Sequence, residues 1–120
     1  MKHLKKVRKF GRVKNQREAM INILLGNLIL NEKIRTTEAK AKEIKGMIDK
    51  ILNKAKKAKD QEKKVAVIRD LQKTLSKAAV KKLSGEFLEK FSKRSSGYAR
   101  VIKLEPRKSD SARLAIIEFV

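Results

Sequence analysis

The chain has 120 residues, the length of one domain, and carries 33 Lys and Arg against 13 Asp and Glu, a formal net charge of +20. It has no cysteine, which excludes a disulfide framework, a thiolate zinc site and a cysteine nucleophile. Apolar residues make up 41 %, enough for a small core, and with one Tyr and four Phe that core must be mainly aliphatic.

Residues 1–14 read as a basic arm and residues 15–120 as one globular domain. In the arm, Lys2, Lys5, Lys6, Arg8, Lys9, Arg12 and Lys14 face no acid, and His3 adds a further donor. Leu4, Val7, Phe10 and Val13 recur every third residue, but Gly11 and the charge density oppose a free helix. The segment is expected to be extended or irregular and to order on a partner.

Asn15-Gln16-Arg17-Glu18 has the form of a capping box, so a helix is predicted from there to about Leu30. Met20, Ile21, Leu24, Leu25 and Leu28 form its inner face, with Asn22, Gly26 and Asn27 opposite and Asn31-Glu32 ending it. The apolar-rich stretch 19–30 is too short for the roughly 20 residues of a membrane span. No secretory-length apolar core follows the basic segment 1–17.

Lys33-Ile34-Arg35 fits a short strand. Thr36 or Thr37 then caps a second helix, with Glu38 at its positive end. Ala41, Ile44, Ile48, Ile51, Leu52 and Ala55 give the clearest helical period in the chain. The opposite face is basic: Lys40, Lys42, Lys45, Lys50, Lys54, Lys56, Lys57 and Lys59, with Glu43 and Asp49 among them. A third helix, Gln61–Leu71, is expected to be capped by Asp60 and to bury Val65, Ile68 and Leu71. A fourth, about Thr74–Leu83, buries Leu75, Ala79 and Leu83 and stops at Gly85. A turn around Phe87, Leu88 and Phe91 follows. The period then changes: Tyr98–Leu104 and Arg113–Val120 read as two strands of a hairpin joined by a loop at Pro106–Ser111.

No residue pattern supports catalysis. His3 is the single histidine and has no second ligand for a metal, and no HExxH, GxSxG, P-loop or GxGxxG pattern is present. Twenty uncompensated charges call for a polyanion, nucleic acid ahead of an anionic membrane surface. Candidate contacts to nucleic acid are Lys2, His3, Lys5, Lys6, Arg8, Lys9, Arg12 and Arg17 in the arm, with Arg94, Tyr98, Arg100, Arg107 and Lys108 as a second group. Two readings stay open for Tyr98: stacking on an unpaired base, or packing on the sheet edge. The arm can be a phosphate-binding element or a solvated tail, and the lysine face of the second helix a contact or a solvated surface. Gly97 permits close backbone approach or a positive φ. A histone-like DNA-architectural protein shares the charge and is the alternative reading.

Several of these pieces recur together in one family. Met1-Lys2-His3, Lys9-Phe10-Gly11-Arg12, Arg17-Glu18-Ala19-Met20, Asn31-Glu32-Lys33-Ile34-Arg35-Thr36-Thr37 and Ala39-Lys40-Ala41-Lys42-Glu43 stand in an order that resembles the bacterial large-subunit ribosomal protein family number seventeen. Arg94-Ser95-Ser96-Gly97-Tyr98-Ala99-Arg100-Val101 resembles its Arg-x-Gly-Gly-Tyr-x-Arg-Ile segment, and Arg107-Lys108-Ser109-Asp110 its Arg-x-Gly-Asp turn. Glu118-Phe119-Val120 resembles its ending. Ser96 and Ser109 replace glycines of the family pattern, and Asn22-Ile23 stands where many members carry Arg-Asn.

The resemblance implies an α/β (α+β) fold in two layers. Four or so helices pack on a small sheet that joins the strand near Ile34 to the C-terminal hairpin. It implies a structural role in the large ribosomal subunit, on cytoplasmic ribosomes. The partners would be large-subunit ribosomal RNA and neighbouring ribosomal proteins near the outer end of the peptide tunnel, with no cofactor, metal, membrane or small-molecule substrate.

Overall fold

A computed structural model describes residues 8–59 and 61–120. Among them α1 (Lys14–Asn31), β1 (Lys33–Thr37), α2 (Glu38–Lys56), α3 (Gln61–Gln72), α4 (Lys77–Leu83), β2 (Ala99–Lys103) and β3 (Leu114–Phe119) follow in chain order. A single 3-10 turn, Lys57–Lys59, extends α2, and a 3-10 helix, Glu86–Phe91, follows α4.

The sheet has the order β1-β3-β2 and is antiparallel throughout. Register sets Ile34 opposite Ile117 and Val101 opposite the same residue, so the three form one row across the sheet. With a side-chain period of two, Ala115, Ile117, Phe119, Ile34, Ala99 and Val101 share one face. All of them belong to or pack against the core. The helices cover that face, α2 lying across all three strands. The architecture is therefore the expected α+β one, with the strand near Ile34 joined to the hairpin.

The core is aliphatic except at one end. Leu28, Ile29, Ile44, Ile48, Leu52 and Ile117 are buried completely. At the other end Phe87, Phe91, Phe119 and Tyr98 form an edge-to-face cluster, with ring centroids 5.1–5.5 Å apart. Val80 and Ile29, absent from the core expected from periodicity, are also buried.

Several local expectations give way to tertiary context. α1 starts at Lys14, with Val13 as N-cap and no side-chain cap bond. Asn15 thus lies inside the first turn, where its side chain cannot cap. Gly26 is buried beside Leu25 rather than facing out with Asn27. The inner face of α1 is rotated toward α4, which packs against it. Thr37 is the N-cap of α2 but makes no side-chain cap bond; instead the Glu38 N–H donates to the Arg113 carbonyl at 2.9 Å. The residue leading into β3 supplies from outside what a cap would supply locally.

In α3, Val65 is 60 % exposed while Val67, Ile68 and Leu71 pack inward, a shift in helix phase. The expected cap, Asp60, lies outside the described residues. α4 is capped by Ser76, whose Oγ accepts the Ala79 N–H at 3.3 Å, so Leu75 is buried just ahead of the helix. Gly85 has φ −99° and begins the 3-10 helix; the C-cap of α4 is Ser84 in a right-handed conformation, so no left-handed glycine stop exists there.

Candidate nucleic-acid interface

Of the arm candidates, Lys2, His3, Lys5 and Lys6 lie outside the described residues. From Arg8 onward the arm is tied down. Lys9–Arg12 form a tight turn closed by an Arg12 N–H bond to the Lys9 carbonyl at 3.2 Å. Both central residues are left-handed, Phe10 at φ 55° and Gly11 at φ 63°. Glycine adopts this readily, whereas Phe10 is strained, and its ring packing against the core offsets the strain. Arg8 Nη1 pairs with Glu43 Oε2 of α2 at 3.2 Å. Arg12 and Arg17 donate to the carbonyls of Phe10 and Arg12, at 2.8 and 3.4 Å. Lys9 is exposed and has no ion pair among the described residues, which leaves its ammonium to solvent or phosphate.

Arg8 also lines, with Lys42, Ala112 and Arg113, a shallow cavity of about 330 Å³. The arm and the end of the hairpin loop therefore meet beside the N-terminus of α2. Arg107 and Lys108 belong to this loop. The Arg107 guanidinium meets Asp110 at 3.4 Å, the Asp110 carboxylate accepts the Ala112 N–H at 3.1 Å, and Lys108 is exposed. The left-handed residue of the loop is Ser111, at φ 58°. Ser109 and Ser96 sit at ordinary φ, so replacing the family's glycines there carries no left-handed strain.

Arg94, Tyr98 and Arg100 lie at the opposite end of the hairpin. Arg100 is the second residue of β2, so most of that strand separates it from the Arg107 loop, and Arg100 pairs with Glu118 at 2.9 Å near the end of β3. The second group of candidates is thus two sites, one at each end of the sheet. The loop that carries Arg107 and Lys108 reaches the arm through its last residues, Ala112 and Arg113.

Tyr98 is fully buried. Its ring packs edge-on to Phe91 at 5.5 Å. Its hydroxyl lies 2.5 Å from Asn53 Oδ1 and 2.9 Å from the Arg94 carbonyl, and accepts from Lys56 Nζ at 2.7 Å. No face of the ring is free to stack on a base, so of the two readings of Tyr98 the packing one holds. Lys56 leaves the basic face for the same reason: it turns inward, donating to the carbonyls of Phe91 and Arg94 and lying 4.6 Å from the Tyr98 ring centroid. The Asp49 carboxylate accepts the N–H groups of Gly97 and Tyr98, each at 3.2 Å. Gly97 takes φ 68°, as its glycine allows. These contacts hold the Lys93–Gly97 loop so that Lys93 and Arg94 project from it, both exposed.

Three carboxylates are held below the usual range by lysines. The Lys90 ammonium bonded to Glu32, with Lys82 nearby, lowers that carboxyl; Lys42 does the same for Glu38 and Lys54 for Asp70. These acids are therefore committed to neighbouring lysines. Lys40, Lys45, Lys50, Lys57 and Arg113 have no ion-pair partner among the described residues. Arg113 escapes a reading of the sequence because it directly precedes a strand and resembles its first residue. No group of metal-ligating side chains occurs among the described residues, and no helix among them is long and apolar enough to cross a membrane.

The family model described as "Ribosomal protein L17" matches residues 20–120. Among curated proteins the chain is similar to "Large ribosomal subunit protein bL17" of Staphylococcus carnosus, 41 % identical over 119 residues that cover 94 % of this chain and 98 % of that protein. It is likewise similar to the protein of the same name from Chlorobium chlorochromatii, 45 % identical over 121 residues covering all of this chain and 75 % of the relative.

Proposed function

The chain belongs to the ribosomal protein L17 family, a structural, non-enzymatic constituent of the large ribosomal subunit, and from that premise we propose that it binds and stabilises large-subunit ribosomal RNA through its arm and basic loops. The subunit is cytoplasmic in bacteria. The observation that carries the proposal is the meeting of the arm and the hairpin loop beside α2. Arg8, Lys42 and Arg113 come together there from three separate segments, around a Glu38 carboxylate that Lys42 neutralises at 2.8 Å.

The mechanism is electrostatic and geometric. Lysines and arginines neutralise phosphates and release counterions, which gives affinity without sequence choice. Folded RNA is recognised by shape, because side chains cannot read the deep groove of the A-form helix. Lys2, His3, Lys5 and Lys6 extend the contact along the arm, with Lys9, Arg12 and Arg17 at its base. Arg107 and Lys108 act from the adjoining loop, and Arg94 and Arg100 make a separate contact at the far end of the sheet. Tyr98 supports Arg94 from below and does not touch RNA. The neighbourhood we propose is the outer end of the peptide tunnel, beside other ribosomal proteins.

Gradient sedimentation of tagged protein from cell lysate tests the reading. Migration with large subunits that survives a high-salt wash is expected. Loss at modest salt, or migration with DNA, would leave a generic polycation and favour the DNA-architectural alternative.

A further inference from the structure

A groove of about 580 Å³ runs between α1 and α2, a size in the range of small-molecule sites. Its floor is aliphatic, with Ile21 from α1 and Met47 and Ile51 from α2. Its rim is cationic. Arg17 and Lys50 line it without an ion-pair partner among the described residues, and Arg8 stands at its mouth, fixed by Glu43 at 3.2 Å. Asn22 and Thr74 add a neutral amide and a hydroxyl to the same rim.

We infer that this groove receives one unpaired nucleotide of the large-subunit RNA, a claim that rests on the RNA-binding reading above. The three zones match the three parts of a nucleotide. The flat face of a base covers the aliphatic floor, its polar edge meets the Asn22 amide and the Thr74 hydroxyl, and the flanking phosphates meet Arg17 and Lys50. An apolar side chain of a neighbouring protein would fill the floor equally well. It would leave the cations of the rim facing nothing that needs them, at a cost in hydration. Of the two carboxylates in the groove, Glu43 is neutralised by Arg8, and Glu18 can accept from a base amino group. Single-stranded segments are where proteins splay bases out, which suits a pocket wide enough for one base and too narrow for a duplex.

The test uses the full chain and an in vitro transcript of large-subunit RNA, with affinity measured across a potassium chloride series. Asn22→Phe puts a ring into the groove and changes no charge. It is expected to weaken binding roughly fivefold to tenfold, the scale of a single base held on a protein surface, with an unchanged salt slope. Asn27→Phe, on the same helix outside the groove, is expected to bind like the unaltered chain. A folded Asn22→Phe protein with unaltered affinity overturns the inference.

A benzophenone amino acid at Thr74, read in assembled subunits, gives an independent outcome should Asn22→Phe fail to fold. Cross-links to RNA support the inference; cross-links to protein alone, or none, overturn it. Failure of the unaltered chain to bind the transcript would instead remove the RNA-binding reading itself.

Discussion

Asp49 anchors Tyr98 across 49 residues of sequence: its carboxylate accepts the Tyr98 N–H at 3.2 Å while the other oxygen accepts the Gly97 N–H at the same distance. The pair joins the middle of α2 to the start of β2 and orients the loop that carries Arg94. Charge-assisted bonds of this kind are stronger than neutral ones, and removing the acceptor leaves a part-buried N–H unpaired. Asp49→Ala is expected to lower stability by about 1–2 kcal/mol, read as a drop in the denaturation midpoint at constant m-value. An unchanged midpoint would show that the loop is held by other contacts.

Tyr98→Phe separates the two uses of the ring. The buried ring and its edge contact with Phe91 are kept, while Asn53 and Lys56 are each deprived of the hydroxyl. A destabilisation of about 1 kcal/mol is expected, with RNA affinity unchanged. Tyr98→Ala opens a cavity in the aromatic cluster and is expected to cost about 3–5 kcal/mol. A Tyr98→Ala protein that stays folded and is impaired only in RNA binding would place the ring in the interface after all.

Neutralising Arg8, Lys9 and Arg12 together to Gln tests the arm. The slope of log affinity against log salt is expected to shrink by roughly 0.7 for each single-strand phosphate that is no longer neutralised. Arg8→Gln alone also breaks the ion pair with Glu43, and since Arg8 is well exposed this is expected to change stability by under about 1 kcal/mol. An unchanged salt slope in the triple variant contradicts a role for the arm in phosphate binding.

Acid sensitivity follows from the three carboxylates. The lysine partners depress the folded-state values of Glu32, Glu38 and Asp70. Their contribution is present above the unfolded carboxylate range and is lost as pH falls through the lower folded values, where the folded state must take up protons. Thermal midpoints are therefore expected to be level from about pH 7 to 5 and to fall below about pH 4. Glu32→Gln is expected to flatten part of that fall; an identical acid limb in this variant would exclude Glu32 as a contributor.

The amino-acid sequence by itself determined the elements and the sign of the surface. The spacing of Ala41, Ile44, Ile48 and Leu52 specifies the buried stripe of α2, and the strand near Ile34 and the C-terminal hairpin follow from short runs with turn residues between them. The cationic arm and loops are equally plain from composition, because charge density is a local property.

Tertiary structure alone decided which side chains serve the surface. The phase of α1 at Gly26 and of α3 at Val65 depends on which neighbour each helix meets, and periodicity over a few turns constrains that angle weakly. Lys56 reads as a surface residue, and Tyr98 as either a stacking or a packing one, until their contact across 42 positions shows both turned inward. The separation of Arg100 from Arg107 and the meeting of Arg8 with Arg113 are consequences of strand direction and chain return. Contacts closed by long stretches of chain, as most of these are, leave no trace in the spacing of adjacent residues, since their partners are chosen by packing rather than by the local chain.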